Sequence, residues 1–322
     1  MSRFDHVLRI GTALREASTA TKPSFFNGTT PLIEVINRRR REKVDIEAVK
    51  RLLTLRGTDV NARGDYYTAL HAAVEEHNIE VARLLIEHGA DLEARSWEGW
   101  TPLTYSIQGG AYLDLPMIAL LLEAGADPNA VPADGPPQMP EEELGGWVTT
   151  TPLMYACESS FIRDSPWSLV DVVRLLLRHG ADPNSRNGDG ETALSLSILR
   201  YRHEVVAVLL DHGAIVTDAA IAAFATTAAT MSNWEITLRN EGASVDDIAK
   251  LRRTETRWSN ISWQLSLHIR EDDPLYTAFN RIFSDRMEHK QRVGVVRVTK
   301  CCLLYTSPSP RDATLSRMPS SA

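Results

Sequence analysis

The amino-acid sequence predicts an all-α solenoid: a stack of paired antiparallel helices with short hairpin-like loops, closed by a helical C-terminal cap. Three observations carry that expectation. A Thr-(Pro/Ala)-Leu element recurs at Thr30, Thr68, Thr101, Thr151 and Thr192. Each copy ends in a Leu-Leu pair (Val-Leu-Leu in the last) and then a glycine: Gly57, Gly89, Gly125, Gly180 and Gly213. The regular interval, Thr68 to Thr101, is 33 residues, and a fixed period of that size marks a stacked array.

The elements follow in chain order. Residues 1–28 open with MSRFDHVLRIGTALREAS, which patterns as an amphipathic helix with scattered charges. It reads as an N-terminal helical cap, without the continuous apolar region of a signal peptide. Residues 29–218 hold the five repeats. The second copy, YTALHAAVEEHNIEVARLLIEHGADLEARSWEGW from Tyr67, shows the unit most plainly. Thr68 is placed to cap a short first helix with its hydroxyl. In three other copies Pro31, Pro102 and Pro152 follow the threonine, at a position where a missing N–H costs nothing. Leu70, Ala73 and Val74 lie on one face of the first helix, and Ile79, Val81, Ala82, Leu84, Leu85 and Ile86 stripe the second. Gly89 supplies the left-handed residue that ends it. The leucine four residues before each glycine, Leu53, Leu85, Leu121, Leu176 and Leu209, is expected to form the inter-repeat core, because a single unit is too small to bury its own stripe.

These segments resemble ankyrin repeats. TALHAAVEEHNIEVARLLIEHGADLEA, LLLEAGADPNA and LLLRHGADPNS carry the likeness, which spans residues 29 to 218. The resemblance implies an ankyrin-repeat solenoid whose hairpin tips and first helices line a concave, partner-binding face. The histidine of the family's TPLH element occurs once, as His71; the other copies have Ile33, Thr104, Met154 and Ser195. The hydrogen bonds of that histidine are therefore expected in one copy only.

Spacing locates the insertions. From threonine to glycine the five copies measure 27, 21, 24, 29 and 21 residues, and from glycine to the next threonine 11, 12, 26 and 12. The 26-residue interval carries VPADGPPQMPEEELGGWVT, residues 131–149, whose Pro, Gly and acid content predicts a surface loop. Residues 219–301 read as a helical C-terminal region, with Ser244 capping one helix and Asp273-Pro274 opening another. On the latter, Leu275, Tyr276, Phe279, Ile282, Phe283 and Met287 share a face. The last segment, 302–322, reads CLLYTSPSPRDATLSRMPSSA. It resembles translated sequencing adapter, since the codons TGT-CTC-TTA-TAC-ACA-TCT give Cys-Leu-Leu-Tyr-Thr-Ser. It is expected to be an artefactual, disordered tail, with the natural C-terminus missing.

No chemistry is written in the motifs. The sequence contains no GxxxxGK, GxGxxG, HExxH, CxxC or GxSxG, so the reading is a non-catalytic chain without cofactor or metal. His88, His179 and His212 each precede a helix-ending glycine, where a ring suits the negative helix end. Glu75-Glu76 and the acids at 141–143 lack the apolar setting that would raise a pKa and read as solvated surface. Net charge is −7, which argues against nucleic acid. The one basic run, Arg38, Arg39, Arg40, Arg41 and Lys43, reads as a solvated helix end. No apolar run is long enough for a membrane span. Three cysteines, two of them adjacent, make no disulfide framework; a reducing, intracellular setting (cytoplasmic or nuclear) fits.

What remains is binding. Aromatic residues crowd the tip positions: Phe25, Phe26, Tyr66, Tyr67, Trp97, Trp100 and Trp147. Tryptophan and tyrosine are enriched where binding energy concentrates. The first-helix face adds Glu75, Glu76, Gln108, Glu158, Ser159, Leu199 and Arg200, which suits a partner with a basic or mixed face. The expected function is a monomeric, intracellular protein-binding scaffold or adaptor. The alternatives are a regulatory or targeting arm of a larger enzyme, and a protein acting inside another organism's cell.

Overall fold

A computed structural model describes residues 29–37, 44–108, 114–132, 149–158, 168–241, 244–270 and 272–293. The expected N-terminal cap, the basic run, most of the 131–149 loop and the 302–322 tail lie outside them. The chain divides into two compact units, Met1–Ala193 and Leu194–Ala322.

The first unit is a series of helix pairs: α1 (Pro31–Ile36) with α2 (Ile46–Thr54), α3 (Ala69–Glu75) with α4 (Ile79–Glu87), α5 (Pro102–Gln108) with α6 (Leu115–Glu123), and α7 (Pro152–Glu158) with α8 (Leu169–Arg178). First helices pack in the order α1, α3, α5, α7, and second helices in the order α2, α4, α6, α8. Local sequence sets the ends. Thr30, Thr101 and Thr151 accept from the backbone N–H three residues on, at 3.2, 3.2 and 3.4 Å. Asp45, Asn78, Asp114 and Ser168 cap the second helices. The closing glycines are left-handed, from φ 82° at Gly89 to 102° at Gly125.

The core is a recurring triad on each second helix, spaced i, i+1, i+4: Ala48, Val49 and Leu52; Val81, Ala82 and Leu85; Met117, Ile118 and Leu121; Val172, Val173 and Leu176. Leu85, Leu121 and Leu176 are fully buried, as expected. Leu53 is not: it is only half-buried, and Leu52 takes the place. The triad spacing in α2 is unchanged, but five residues rather than four separate its leucine from the glycine. The extra residue sits in the turn after the helix, where Leu55 is extended (φ −71°, ψ 132°). Rotation of the helix against its neighbour decides burial, not distance from the glycine.

A second ladder runs through the turns that follow each glycine. Asn61 donates to the Gly89 carbonyl at 3.1 Å and accepts from the Asp91 N–H at 2.7 Å. Asn129 repeats both bonds with Gly180 and Asp182, at 2.9 and 2.7 Å. In copy two Glu93 stands at that position and accepts from the Asp127 N–H at 2.8 Å. A carboxylate has no hydrogen to donate, so only half of the clamp is kept there. Burial pushes the Glu93 carboxyl up, a shift that the Asp127 N–H opposes.

Thr68 departs from the capping expectation. Its hydroxyl lies 2.9 Å from His71 Nδ1 and makes no bond to the helix backbone. His71 Nε2 is 3.0 Å from the Trp100 carbonyl. A carbonyl only accepts, so Nε2 carries the proton and Nδ1 accepts from the Thr68 hydroxyl. At Thr30, Thr101 and Thr151, where the histidine is absent, the threonine bonds the helix backbone instead. His71 is fully buried, and that burial lowers its pKa from 6.5 to about 4.

The second unit is built from α10 (His203–Asp211), α11 (Asp218–Glu241), α12 (Val245–His268) and α13 (Pro274–Val293); α9 (Ala193–Leu199) straddles the division. The alanine-rich start of α11 continues through 24 residues. Ser244 caps α12 by accepting from the Asp247 N–H at 3.2 Å. The three long helices share an aromatic stack: Phe224 lies 4.7 Å from Trp258 and 5.3 Å from Phe279, and Trp258 lies 6.0 Å from Phe283, measured between ring centroids. Farther along, Arg286 of α13 is buried against Glu235 of α11, bonding both carboxylate oxygens, and donates to Ser232 at 2.9 Å. Lys290 of α13 pairs with Glu255 of α12 at 3.3 Å. Burial pushes both carboxyls up. The Arg286 guanidinium outweighs it at Glu235, which lies below the usual range, while Glu255 lies above it. The expected apolar face of α13 is only partly buried, with Phe279 its one fully buried member. Arg286 and Lys290, which are not part of that face, complete the interior.

Two outcomes follow. Leu52→Ala should cost about 2–5 kcal/mol in a urea unfolding curve, as truncated core leucines do, whereas Leu53→Ala should cost about 1 kcal/mol or less. For His71 the folded state resists a proton that the unfolded chain takes up at 6.5. Stability is therefore intact above that pH and is lost as pH falls toward 4. By pH 5 the loss should reach about 2 kcal/mol relative to His71→Asn, measured by urea unfolding of both proteins from pH 7.5 down.

Candidate protein-binding surface

The tips and first helices of the first unit carry most of the residues singled out from sequence. Copy two presents its tip through Tyr66 and Tyr67, closed by the Gly64 N–H bonding the Tyr67 carbonyl at 2.9 Å. Copy three presents a turn from Ser96 to Trp100. The Ser96 N–H donates to the Trp100 carbonyl at 2.8 Å, and the Gly99 N–H to the Ser96 carbonyl at 3.1 Å, with Gly99 at φ 79°. The Ser96 hydroxyl donates to Glu98 at 2.9 Å and accepts from the Trp100 N–H. The two tips are joined directly, since the Trp97 N–H donates to the Tyr66 carbonyl at 2.6 Å.

That frame sorts the aromatics into two sets. Tyr66 is 63% exposed and Trp97 37% exposed. Tyr67 and Trp100 are half-buried and belong to an aromatic ladder across copies two, three and four. Tyr67 and His71 each meet Tyr105, at 6.2 and 5.6 Å between centroids, and Trp100 meets both Tyr105 and Tyr155 at 6.1 Å. The Tyr67 hydroxyl accepts from Asn37 at 2.7 Å, and Trp100 Nε1 donates to the Tyr155 hydroxyl at 3.3 Å. Burial raises the Tyr67 phenol to about 12 and also raises Tyr105 and Tyr155. Tyr105 and Tyr155 were not among the sequence candidates. Their signal was there: each stands four residues after its threonine, in consecutive copies.

The remaining candidates flank this ladder. Glu75 closes α3 and is exposed, and Glu76 follows it, half-buried. Glu158 ends α7 and is exposed. Gln108 ends α5, half-buried, with its Oε1 buried and without a hydrogen-bond partner among the described residues. Arg95, the nearest base to the copy-three tip, is engaged with the Gly99 and Val131 carbonyls at 3.3 and 2.7 Å. Arg200 is exposed and belongs to the second unit. Phe25, Phe26, Trp147 and Ser159 lie outside the described residues. His88 and His212 bond the carbonyl four residues back, at 2.7 and 2.8 Å. Among the described residues no group of three or more His, Cys, Asp or Glu could hold a metal ion. No helix among them is long and apolar enough to cross a membrane.

Comparison with known proteins places this geometry. Residues 40–131 match the family described as Ankyrin repeats (3 copies), and residues 150–188 match Ankyrin repeat. The human ankyrin repeat and MYND domain-containing protein 1 is 32% identical over 227 residues, covering 59% of this chain and 23% of that protein. An ankyrin repeat protein of Acanthamoeba polyphaga mimivirus is 28% identical over 188 residues, 58% of this chain and 20% of the relative. The potassium channel AKT1 of Oryza sativa subsp. indica is 51% identical over 55 residues, 17% of this chain and 6% of the channel. The chain thus spans less than a quarter of the length of each of these relatives. The stacked helix pairs, the left-handed closing glycines and the matched segments agree: residues 40–131 and 150–188 are ankyrin repeats, which form a protein-interaction module.

Proposed function

We propose that the chain is a non-catalytic scaffold or adaptor, working as a monomer inside the cell, that recruits a partner protein on the concave face formed by its hairpin tips and first helices. The observation that supports this most directly is the pair of solvent-facing aromatics, Tyr66 and Trp97, on tips joined backbone to backbone. Large rings held on a rigid frame lose little entropy on binding and offer much contact area. The flanking acids Glu75, Glu76, Glu98 and Glu158 favour a partner with a basic or mixed face. Tyr67 and Trp100 support the tips from beneath, and Gln108 extends the proposed surface.

A second reading is a regulatory or targeting arm of a larger protein, an enzyme among the candidates. It is favoured by one observation: the relatives are several times longer than the matched stretch, and their names include a MYND domain protein and a potassium channel. Both readings use the same face.

Trp97→Ala tests it. The substitution should cost about 1 kcal/mol or less in thermal unfolding, because the ring stands at a tip outside the triad core. It should weaken the complex with a captured partner by about 2 kcal/mol or more in titration calorimetry. Arg83→Ala, an exposed change on a second helix, should leave binding unaltered. Loss of stability with unchanged affinity would overturn the assignment of this face.

A further inference from the structure

The second unit carries a surface of the opposite charge. Helix α12 packs against α10 and α11 and buries Leu251, Trp258, Ile261 and Leu265. Its other side is exposed. At 3.6 residues per turn, Arg253, Asn260, Trp263 and Leu267 run along that side in one stripe, bordered on either flank by Arg252 and Arg257. All three arginines are exposed, Trp263 is 46% exposed and Leu267 is 47% exposed. Glu255 is the one acid between Leu251 and Ile269, and it turns inward, to Lys290 at 3.3 Å and Arg286 at 3.4 Å. Among the described residues none of the three arginines is in an ion pair. Arg253 and Arg257 stand one turn apart, and like charges at that spacing destabilise a helix.

We propose that this side of α12 docks an acidic amphipathic helix of a partner protein, its carboxylates against the arginines and its apolar side chains over Trp263 and Leu267. The site is separate from the tip face of the first unit and does not depend on it. Charge complementarity carries the choice of occupant. In a chain of net charge −7, an exposed strip with three bases and no acid is left unneutralised, and carboxylates bond guanidinium groups through paired N–H donors. The Arg253–Arg257 repulsion is relieved when a carboxylate lies between them. Trp263 and Leu267, one turn apart, form an apolar spot at the other end of the strip, and an exposed tryptophan is a strong anchor for a partner. The surface of a helix has no unpaired backbone groups to offer a strand, whereas its rows of side chains interlock with those of a second helix. From Arg253 to Leu267 the strip runs about 21 Å, a length that a partner helix of about four turns covers. The apolar spot is small, and Ser259 and Asn260 lie beside it, exposed; such a surface suits a polypeptide better than burial in lipid, which needs a wide apolar face.

The test titrates the full chain, by two-dimensional NMR, with three blocked alanine-based helical peptides of about 15 residues. The first carries glutamates on one half of a face and leucines on the other half. The second has glutamine in place of glutamate, and the third alanine in place of leucine. The first peptide should bind saturably and shift the Trp263 indole N–H resonance; the other two should each bind at least fivefold more weakly. Raising NaCl from about 20 to about 200 mM should weaken the first peptide at least fivefold. Trp263→Ala, Leu267→Ala and the double change Arg252→Gln with Arg253→Gln should each weaken it at least threefold, with far-ultraviolet circular dichroism unchanged. Arg281→Gln, an exposed change on α13, and Trp97→Ala should leave it within twofold. Absence of saturable binding, equal binding of the glutamate and glutamine peptides, or full affinity in both Trp263→Ala and Leu267→Ala would overturn the proposal. Vesicles of phosphatidylserine and phosphatidylcholine should leave the chain in the supernatant on sedimentation. Pelleting that is lost in the double arginine variant, with no peptide binding, would give the face to a membrane surface and overturn the proposal as well.

Discussion

Burial across the seam between neighbouring repeats is the constraint on which the first unit depends. A second helix of nine or ten residues is shorter than an isolated helix needs in water, about 12–15 residues. Its triad of apolar residues has no partner within its own copy large enough to cover it. The first helix of the same copy and the neighbouring second helices cover it together, with α2, α4, α6 and α8 packed in sequence. The asparagine clamps add a polar register to the apolar one. Asn61 and Asn129 satisfy a carbonyl and an N–H of the following copy, groups that would otherwise meet only water.

The same seam explains why the tips can serve as a binding frame. Trp97 and Tyr66 are on loops, yet the backbone bond between them and the ladder of rings beneath tie both loops to the stack. Trp100 illustrates the division of labour. Its carbonyl holds His71, its indole nitrogen holds Tyr155, and its ring lies against Tyr105. The ring is committed to the frame, whereas Trp97, three residues earlier, faces solvent. Neutral His71 makes the frame sensitive to acid, because a proton on its buried ring has nowhere favourable to go.

Much of this was legible in the sequence. The recurring threonine and glycine gave the helix pairs, and the Leu-Leu pairs gave three of the four core leucines of the first unit. Leu53 was misplaced because a count from the glycine ignores one added residue in a turn, and only helix rotation shows which leucine faces the neighbour. The buried Arg286 and Lys290 were hidden for a different reason. Charge reads as surface in one dimension, and their carboxylates, Glu235 and Glu255, come from two other helices. At the surface, tip aromatics could be named but not sorted: whether Tyr67 packs or projects depends on Asn37 of the preceding copy, 30 residues away. Tyr105 and Tyr155 could have been found by comparing copies position by position rather than by looking for aromatics in loops alone.

Native-state hydrogen exchange on Leu121→Ala tests the seam most directly. Leu121 lies in α6, with α4 on one side and α8 on the other. If neighbouring copies stabilise one another, the substitution should lower amide protection in all three helices together, by a similar free energy in each. Loss of protection confined to α6, with α4 and α8 unchanged, would show that each helix pair holds itself and would contradict the account.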